Sequence, residues 1–202
     1  MEKRIRSADI ADAEAVCNIY APFVSNTATS FESVPPETAV MEQRIRHLRA
    51  RYPWLVFEAG DRVLGYAYAS PHRTRHAYQW CVEVSVYIHA EARNCGVGRA
   101  LYTTLFEILR RQGFVNAYAG ITLPNLASVA LHESLGFAPI GVFKQIGFKL
   151  GEWHDVAWLH LRLIDGLNPI DPRPAVDVLH DQYILDICRQ QAHSVRYHPE
   201  RT

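Results

Sequence analysis

Glu83 stands in the run "CVEVSVYIH" among Val, Ser, Tyr and Ile. A carboxylate in such company is costly to bury unless it is paired or used. A salt bridge to Arg73 or Arg75 of the preceding "PHRTRHAYQW" is one explanation, and a functional carboxylate is the other. Those arginines lie two apart, so in an extended segment their side chains point the same way and both guanidinium groups can grip one anion. Planar, bidentate capture of that kind suits a carboxylate, while a solvated basic turn is the alternative. Downstream, "EARNCGVGRAL" (residues 91–101) sets Arg93, Gly96, Gly98 and Arg99 between a strand and an apolar helical run. A strand that stops in a glycine turn and restarts as a helix leaves backbone N–H groups unpaired, and an anion binds well there. Asn125 and His132 in "PNLASVALHESLGF" are seven residues apart and share one helix face. An imidazole titrates at ~6.5, near working pH; a plain helix-surface histidine is the other reading.

The elements that must hold these groups follow from hydrophobic period. "KRIRSA" reads as a strand and "DIADAEAVCNIYAPFV" as a helix, followed by the long loop "SNTATSFESVPPETA", which carries Phe31. Long loops in compact domains usually line a site, and Phe31 is a candidate apolar wall beside the substrate, with a minor packing anchor as the other reading. "VMEQRIRHLRARY" returns to helical period, and "PWLVFEA" and "RVLGYAYAS" form a strand pair around "GD". The strand "CVEVSVYIH", the glycine turn and its helix, the strand "FVNAYAGI", a second helix and two closing strands in "PIGVFKQIGFKLGEWHDVAWLHLRL" complete an α/β (α+β) order with a mixed sheet. Residues 1–166 read as one domain. The stretch 167–202 reads as a C-terminal extension: a linker with three prolines, a short helix in "VLHDQYILDICRQQ", and a frayed end, "HSVRYHPERT".

Composition narrows the partners. Lys plus Arg and Asp plus Glu are 21 each, so no overall positive field favours nucleic acid or an anionic membrane. The charged start lacks the apolar region of a signal peptide and no stretch is apolar enough to span a bilayer, which predicts a cytoplasmic protein. Cys17, Cys81, Cys95 and Cys188 lack CxxC or Cys/His ligand spacing, so they read as reduced thiols with no metal site.

A lone G-x-G says little, and the dinucleotide fingerprint would need glycine where Leu101 stands. Arg93-Asn94-Cys95-Gly96-Val97-Gly98, however, resembles the R/Q-x-x-G-x-G/A element of the GCN5-related N-acetyltransferases (GNAT), preceded by a strand as it is there. "YASPHRTRHAYQWCVEVSVYI", "NLASVALHESLGF" and "GFKLGEWHDV" resemble, in that order, the phosphinothricin and methionine sulfone/sulfoximine N-acetyltransferase subfamily. The resemblance covers about residues 4 to 165 and leaves the extension outside.

The resemblance implies the GNAT fold, a mixed and mostly antiparallel central sheet with a splayed strand pair, flanked by helices. It implies acetyl-CoA as co-substrate, without a metal. N–H groups from Asn94 through Cys95, Gly96, Val97 and Gly98 to Arg99 would cradle the pyrophosphate, with Arg93 adding charge. Val86, Tyr87 and Ile88 would pair with the pantetheine arm, and Asn125 would hydrogen-bond the coenzyme. Glu83 would be the general base. His132 stands where many members carry a tyrosine, as proton donor to the departing thiolate. Cys95 departs from the usual glycine or arginine and reads as a space filler. Phe31, Arg73, Thr74, Arg75, Glu83, Val84 and Ser85 would line the acceptor side. The implied reaction is acetyl transfer to the α-amine of a small amino-acid-like substrate by direct attack. A peptide N-terminus or another amine as acceptor, and a non-catalytic acyl-CoA-binding module, are the alternatives. A homodimer is also implied, and Val178, Tyr183 and Ile187 of the extension are offered for docking on another surface, with packing of the tail on its own subunit as the alternative.

Overall fold

Strand alternation builds a sheet with two unlike faces. The computed structural model describes residues 1–166 and 168–198. Its strands are β1 (Lys3–Ser7), β2 (Trp54–Ala59), β3 (Arg62–Pro71), β4 (Cys81–Ile88), β5 (Asn116–Thr122), β6 (Ala138–Lys149) and β7 (Glu152–Arg162), in the order β1-β2-β3-β4-β5-β7-β6. Every neighbouring pair is antiparallel except β4 and β5. A parallel pair needs a crossover, which helix α3 (Val97–Gln112) supplies.

β4 pairs with β3 from Val82 to Ile88, but with β5 only from Cys81↔Asn116 to Glu83↔Tyr118. Beyond Glu83 the two strands part, which is the splayed pair that the resemblance implies. Val82 and Val84 enter the core that packs beneath α3. Alternation then turns Glu83, Ser85 and Tyr87 to the opposite face, where α1 (Ala13–Asn26) and α2 (Thr38–Arg49) cover Trp54, Val56 and Tyr66. α1 follows a reciprocal cap between Asp9 and Asp12. α3 buries Leu101, Tyr102, Leu105, Ile108 and Leu109 at helical spacing. It stops at Gly113, whose φ of 99° lets its N–H reach back to the Leu109 and Arg110 carbonyls.

Helix α4 (Leu126–Glu133) follows β5 and α5 (Gln182–Ser194) lies in the extension, packed on α3 and β1. Here two expectations are corrected. Val178, offered for docking on another surface, is 1% exposed within this chain's own core. The end that reads as frayed is packed as far as Tyr197: Val195 and Tyr197 are 2% and 3% exposed. Val178, Val195 and Tyr197 all join the core cluster that holds the α3 side chains and Ile5 of β1. The last four residues lie outside the described ones. Among the described residues no helix is long and apolar enough to cross a membrane, and no group of His, Cys, Asp and Glu side chains is placed to hold a metal ion.

Candidate active site

Glu83 occupies the last rung on which β4 and β5 still pair, so its carboxylate stands at the apex of the opening. Its partner is neither Arg73 nor Arg75. Glu83 Oε1 lies 2.9 Å from Nδ1 of His72, a residue that sequence reasoning passed over. The antiparallel register Ser70↔Glu83 brings the residues just past β3 over the carboxylate, and no local pattern reveals that register. The His72 ring stacks on Tyr118 at 4.5 Å, with Tyr78 and Trp158 each edge-on at 6.0 Å. This box fixes the imidazole while leaving the Glu83 side chain 36% exposed, open to an acceptor.

The basic loop begins one residue later. Arg73, Thr74, Arg75 and Tyr78 line a cavity of about 350 Å³, and Tyr78 links it to the His72 box. Both guanidinium groups are exposed, and neither joins an ion pair among the described residues. Opposite, Phe31 lies on the backbone of β6: a Cβ at Gly147 would come within 2.3 Å of its ring. The β6–β7 hairpin holds that loop, because Lys149 Nζ donates to the carbonyls of Val24 and Ser30 at 2.6 and 2.5 Å. His154, given no role from sequence, has Nε2 at 2.9 Å from the Lys149 carbonyl and secures the hairpin end.

Val84, Ser85, Val86 and Tyr87 form one wall of the cleft between the parted strands, and Ala119 to Thr122 form the other. Ile88 lies one residue farther on, packed over Gly65. Thr29, Tyr102, Asn125, Ser128 and His132 complete the lining. Asn125 caps α4, its Oδ1 accepting the Ser128 N–H at 3.1 Å. His132 is 3% exposed, so it is not a surface histidine. Its Nδ1 lies 2.7 Å from the Ser128 carbonyl and its Nε2 lies 3.2 Å from the Tyr102 hydroxyl. A carbonyl can only accept, which assigns the proton to Nδ1 and makes Nε2 the acceptor of the Tyr102 O–H. Burial pushes the His132 pKa down, with the Ser128 carbonyl opposing. Burial also pushes the Tyr102 hydroxyl above the ordinary tyrosine value. Both groups are thereby held neutral near pH 7, and the hydrogen on this side of the cleft belongs to Tyr102.

The glycine turn closes the site. Gly96 is the N-cap of α3 with φ 90° and no side-chain cap, and Asn94 is also left-handed at φ 59°. Among the described residues no N–H from Asn94 to Arg99 donates to a protein group. A Cβ at Gly96 would meet nothing within 4 Å. Arg93 lies over the Phe23 ring at 5.1 Å, and Arg99 donates to Ser134 Oγ at 2.7 Å. Free donors, the positive end of a helix and absent side chains are what a diphosphate requires, so the turn fits coenzyme A.

Comparison with known proteins agrees with this geometry. The family model described as "Acetyltransferase (GNAT) domain" matches residues 5–158. A phosphinothricin N-acetyltransferase of Streptomyces viridochromogenes is 39% identical over 170 residues, 84% of this chain and 91% of that protein. An L-methionine sulfoximine/L-methionine sulfone acetyltransferase of Salmonella typhimurium is 36% identical over 169 residues, 82% of this chain and 97% of that protein. The crystal structure of a phosphinothricin acetyltransferase from Sinorhizobium meliloti in complex with AcCoA superposes with a TM-score of 0.81 at 36% identity, over 85% of this chain and 95% of that one. With the strand parting at Glu83, the glycine turn at the head of α3 and a match across three quarters of its length, the chain belongs to the GNAT acetyltransferase family and is an N-acetyltransferase.

Proposed function

We propose that this acetyltransferase takes acetyl-CoA in the β4–β5 cleft and transfers the acetyl group to the α-amine of a small amino acid analogue of the phosphinothricin, methionine sulfone or methionine sulfoximine type. The observation that carries the reading is the parting of β4 and β5 at Glu83, which sets a carboxylate between the free edge of β4 and the basic loop. Bound acetyl-CoA supplies a thioester carbonyl open to direct attack. The N–H groups from Asn94 to Arg99 hold its pyrophosphate, and the backbone of Val86, Tyr87 and Ile88 pairs with the pantetheine amides. The Asn125 carbonyl oxygen serves its own helix, leaving the NH₂ group for the coenzyme. Glu83 takes the proton from the acceptor ammonium, directly or through one water, with His72 holding the carboxylate. As the C–S bond breaks, the Tyr102 O–H turns from His132 Nε2 to the sulfur and donates there, so that coenzyme A leaves as a hydrogen-bonded thiolate.

Arg73 and Arg75 clamp the acceptor carboxylate beside Thr74, and Phe31, Val84 and Ser85 border the amine. Arg75→Ala, and to a lesser degree Arg73→Ala, should raise the Michaelis constant for phosphinothricin or methionine sulfone. A lost charge-assisted contact is worth roughly 1.5–3 kcal/mol, or about ten- to over a hundredfold. The constant for acetyl-CoA should stay near wild type, and a simple amine lacking the carboxylate should be a poor substrate. Equal use of the simple amine would remove the clamp and favour a peptide N-terminus or polyamine instead.

The same reading includes a homodimer in the cytoplasm. β6 is a free edge of the sheet, and it exposes Ile140, Val142, Phe143, Ile146 and Phe148, an apolar surface of the kind that marks association. The four cysteines are free, as suits a reducing compartment. Light scattering should give twice the 23.0 kDa chain mass, and Ile146→Glu with Phe148→Glu should halve it. A wild-type monomer at assay concentration ends the dimer reading.

A further inference from the structure

The extension lies beyond residue 158, where the match to the family ends, yet it reaches the glycine turn. Val195 and Tyr197 belong to the core cluster on which Cys95 packs. Lys3 Nζ donates to the Val195 carbonyl at 2.7 Å and ties this segment to β1. Between the two buried side chains, the Arg196 N–H donates to the Cys95 carbonyl at 2.8 Å.

That carbonyl shares a peptide plane with the Gly96 N–H. The one cis peptide bond among the described residues is Leu123–Pro124, so the Cys95–Gly96 bond is trans. In a planar trans peptide the oxygen and the amide hydrogen point opposite ways. Holding the oxygen inward therefore aims the Gly96 N–H outward, at the head of α3. The turn needs such a hold, because turning this plane over changes only Cys95 ψ and Gly96 φ, and Gly96 stands at φ 90°. Glycine adopts φ of either sign, so on the Gly96 side little local cost prevents this plane from turning over. Turned over, it would present a carbonyl oxygen to the ligand's phosphates.

We propose that the C-terminal extension is part of the coenzyme site, with the Arg196 N–H as the positioning group that orients the Gly96 N–H toward the pyrophosphate. The inference rests on the coenzyme reading above. It assigns work to a segment outside the family match and to Cys95, whose carbonyl rather than its thiol matters.

Titration calorimetry and steady-state kinetics with acetyl-CoA test it. Arg196→Pro deletes the N–H and leaves the chain otherwise continuous, since Val195 at φ −72°, ψ 131° already has the extended backbone that precedes proline. The dissociation constant should rise about fivefold, the equivalent of ~1 kcal/mol for one hydrogen bond, while the Michaelis constant for the acceptor is unmoved. Arg196→Ala keeps the N–H and should bind as wild type. An amide-to-ester replacement at residue 196, made by semisynthesis, removes only the N–H and keeps the buried Val195 and Tyr197 side chains; it should repeat the rise, which covers the case in which the proline variant does not fold. Wild-type affinity in the folded variants overturns the proposal, and so does an alanine variant as weak as the proline one. Gly96→Val, measured alongside, separates the two readings. If it binds normally, the coenzyme reading fails and this one with it; if it alone loses affinity, only the role of the extension fails.

Discussion

Glu83→Gln lowers turnover by about 10²–10⁴-fold, the usual cost of losing a general base, and leaves the Michaelis constant for acetyl-CoA near wild type. Glutamine keeps the length and an oxygen acceptor for His72 Nδ1, so the 2.9 Å contact survives. The rung Glu83↔Tyr118 is made by backbone and is untouched. What disappears is the negative charge that accepts the ammonium proton. Turnover measured from acid to alkaline pH separates this from a shifted optimum. A variant with wild-type turnover throughout would move the base to another group, and the acceptor clamp would then have to be re-examined with it.

Gly96→Val has a comparable effect on binding. Its φ of 90° is one that a β-branched residue rarely adopts, and such strain costs on the order of 1–3 kcal/mol. The added side chain also projects into space that is open in the protein and needed by the diphosphate. Acetyl-CoA should bind on the order of 10²-fold more weakly, about 3 kcal/mol, and the coenzyme should no longer raise the melting temperature. The strain lowers the melting point of the free protein as well. The quantity to compare is therefore the shift on adding acetyl-CoA, wild type against variant. An unchanged shift would remove the pyrophosphate from this turn.

What could be read from the sequence was local. The glycine turn is a matter of spacing within one loop, and the strand before it and the helix after it follow from period, so α3 was within reach; the parting of β4 from β5 came only from the family resemblance. Glu83 stood out because one carboxylate interrupts an apolar run. His72 did not, because its contact depends on how β3 registers on β4. His132 was ambiguous for the same reason: Tyr102 of α3 and Phe137 ahead of β6 bury it, and neither neighbour is visible from α4. Tyr102 itself looked like one more apolar position on α3. The apolar face of α5 was legible, but the surface that covers it, on α3 and β1, was a long-range fact. Val178, ahead of α5, was offered to another surface or to its own subunit, and the chain's own core is what buries it.

The β6–β7 hairpin carries two loads at once. Its exposed edge bears the apolar residues from Ile140 to Phe148, and its end grips the loop of Phe31 through Gly147 and Lys149. Altering that end to take a new acceptor also disturbs the surface by which copies would meet in the proposed dimer. Selection for tighter pairing, conversely, would drag the acceptor wall with it. On the proposed dimer, substrate scope and self-association are not independent dials in this protein, and a library that varies one should be screened for the other.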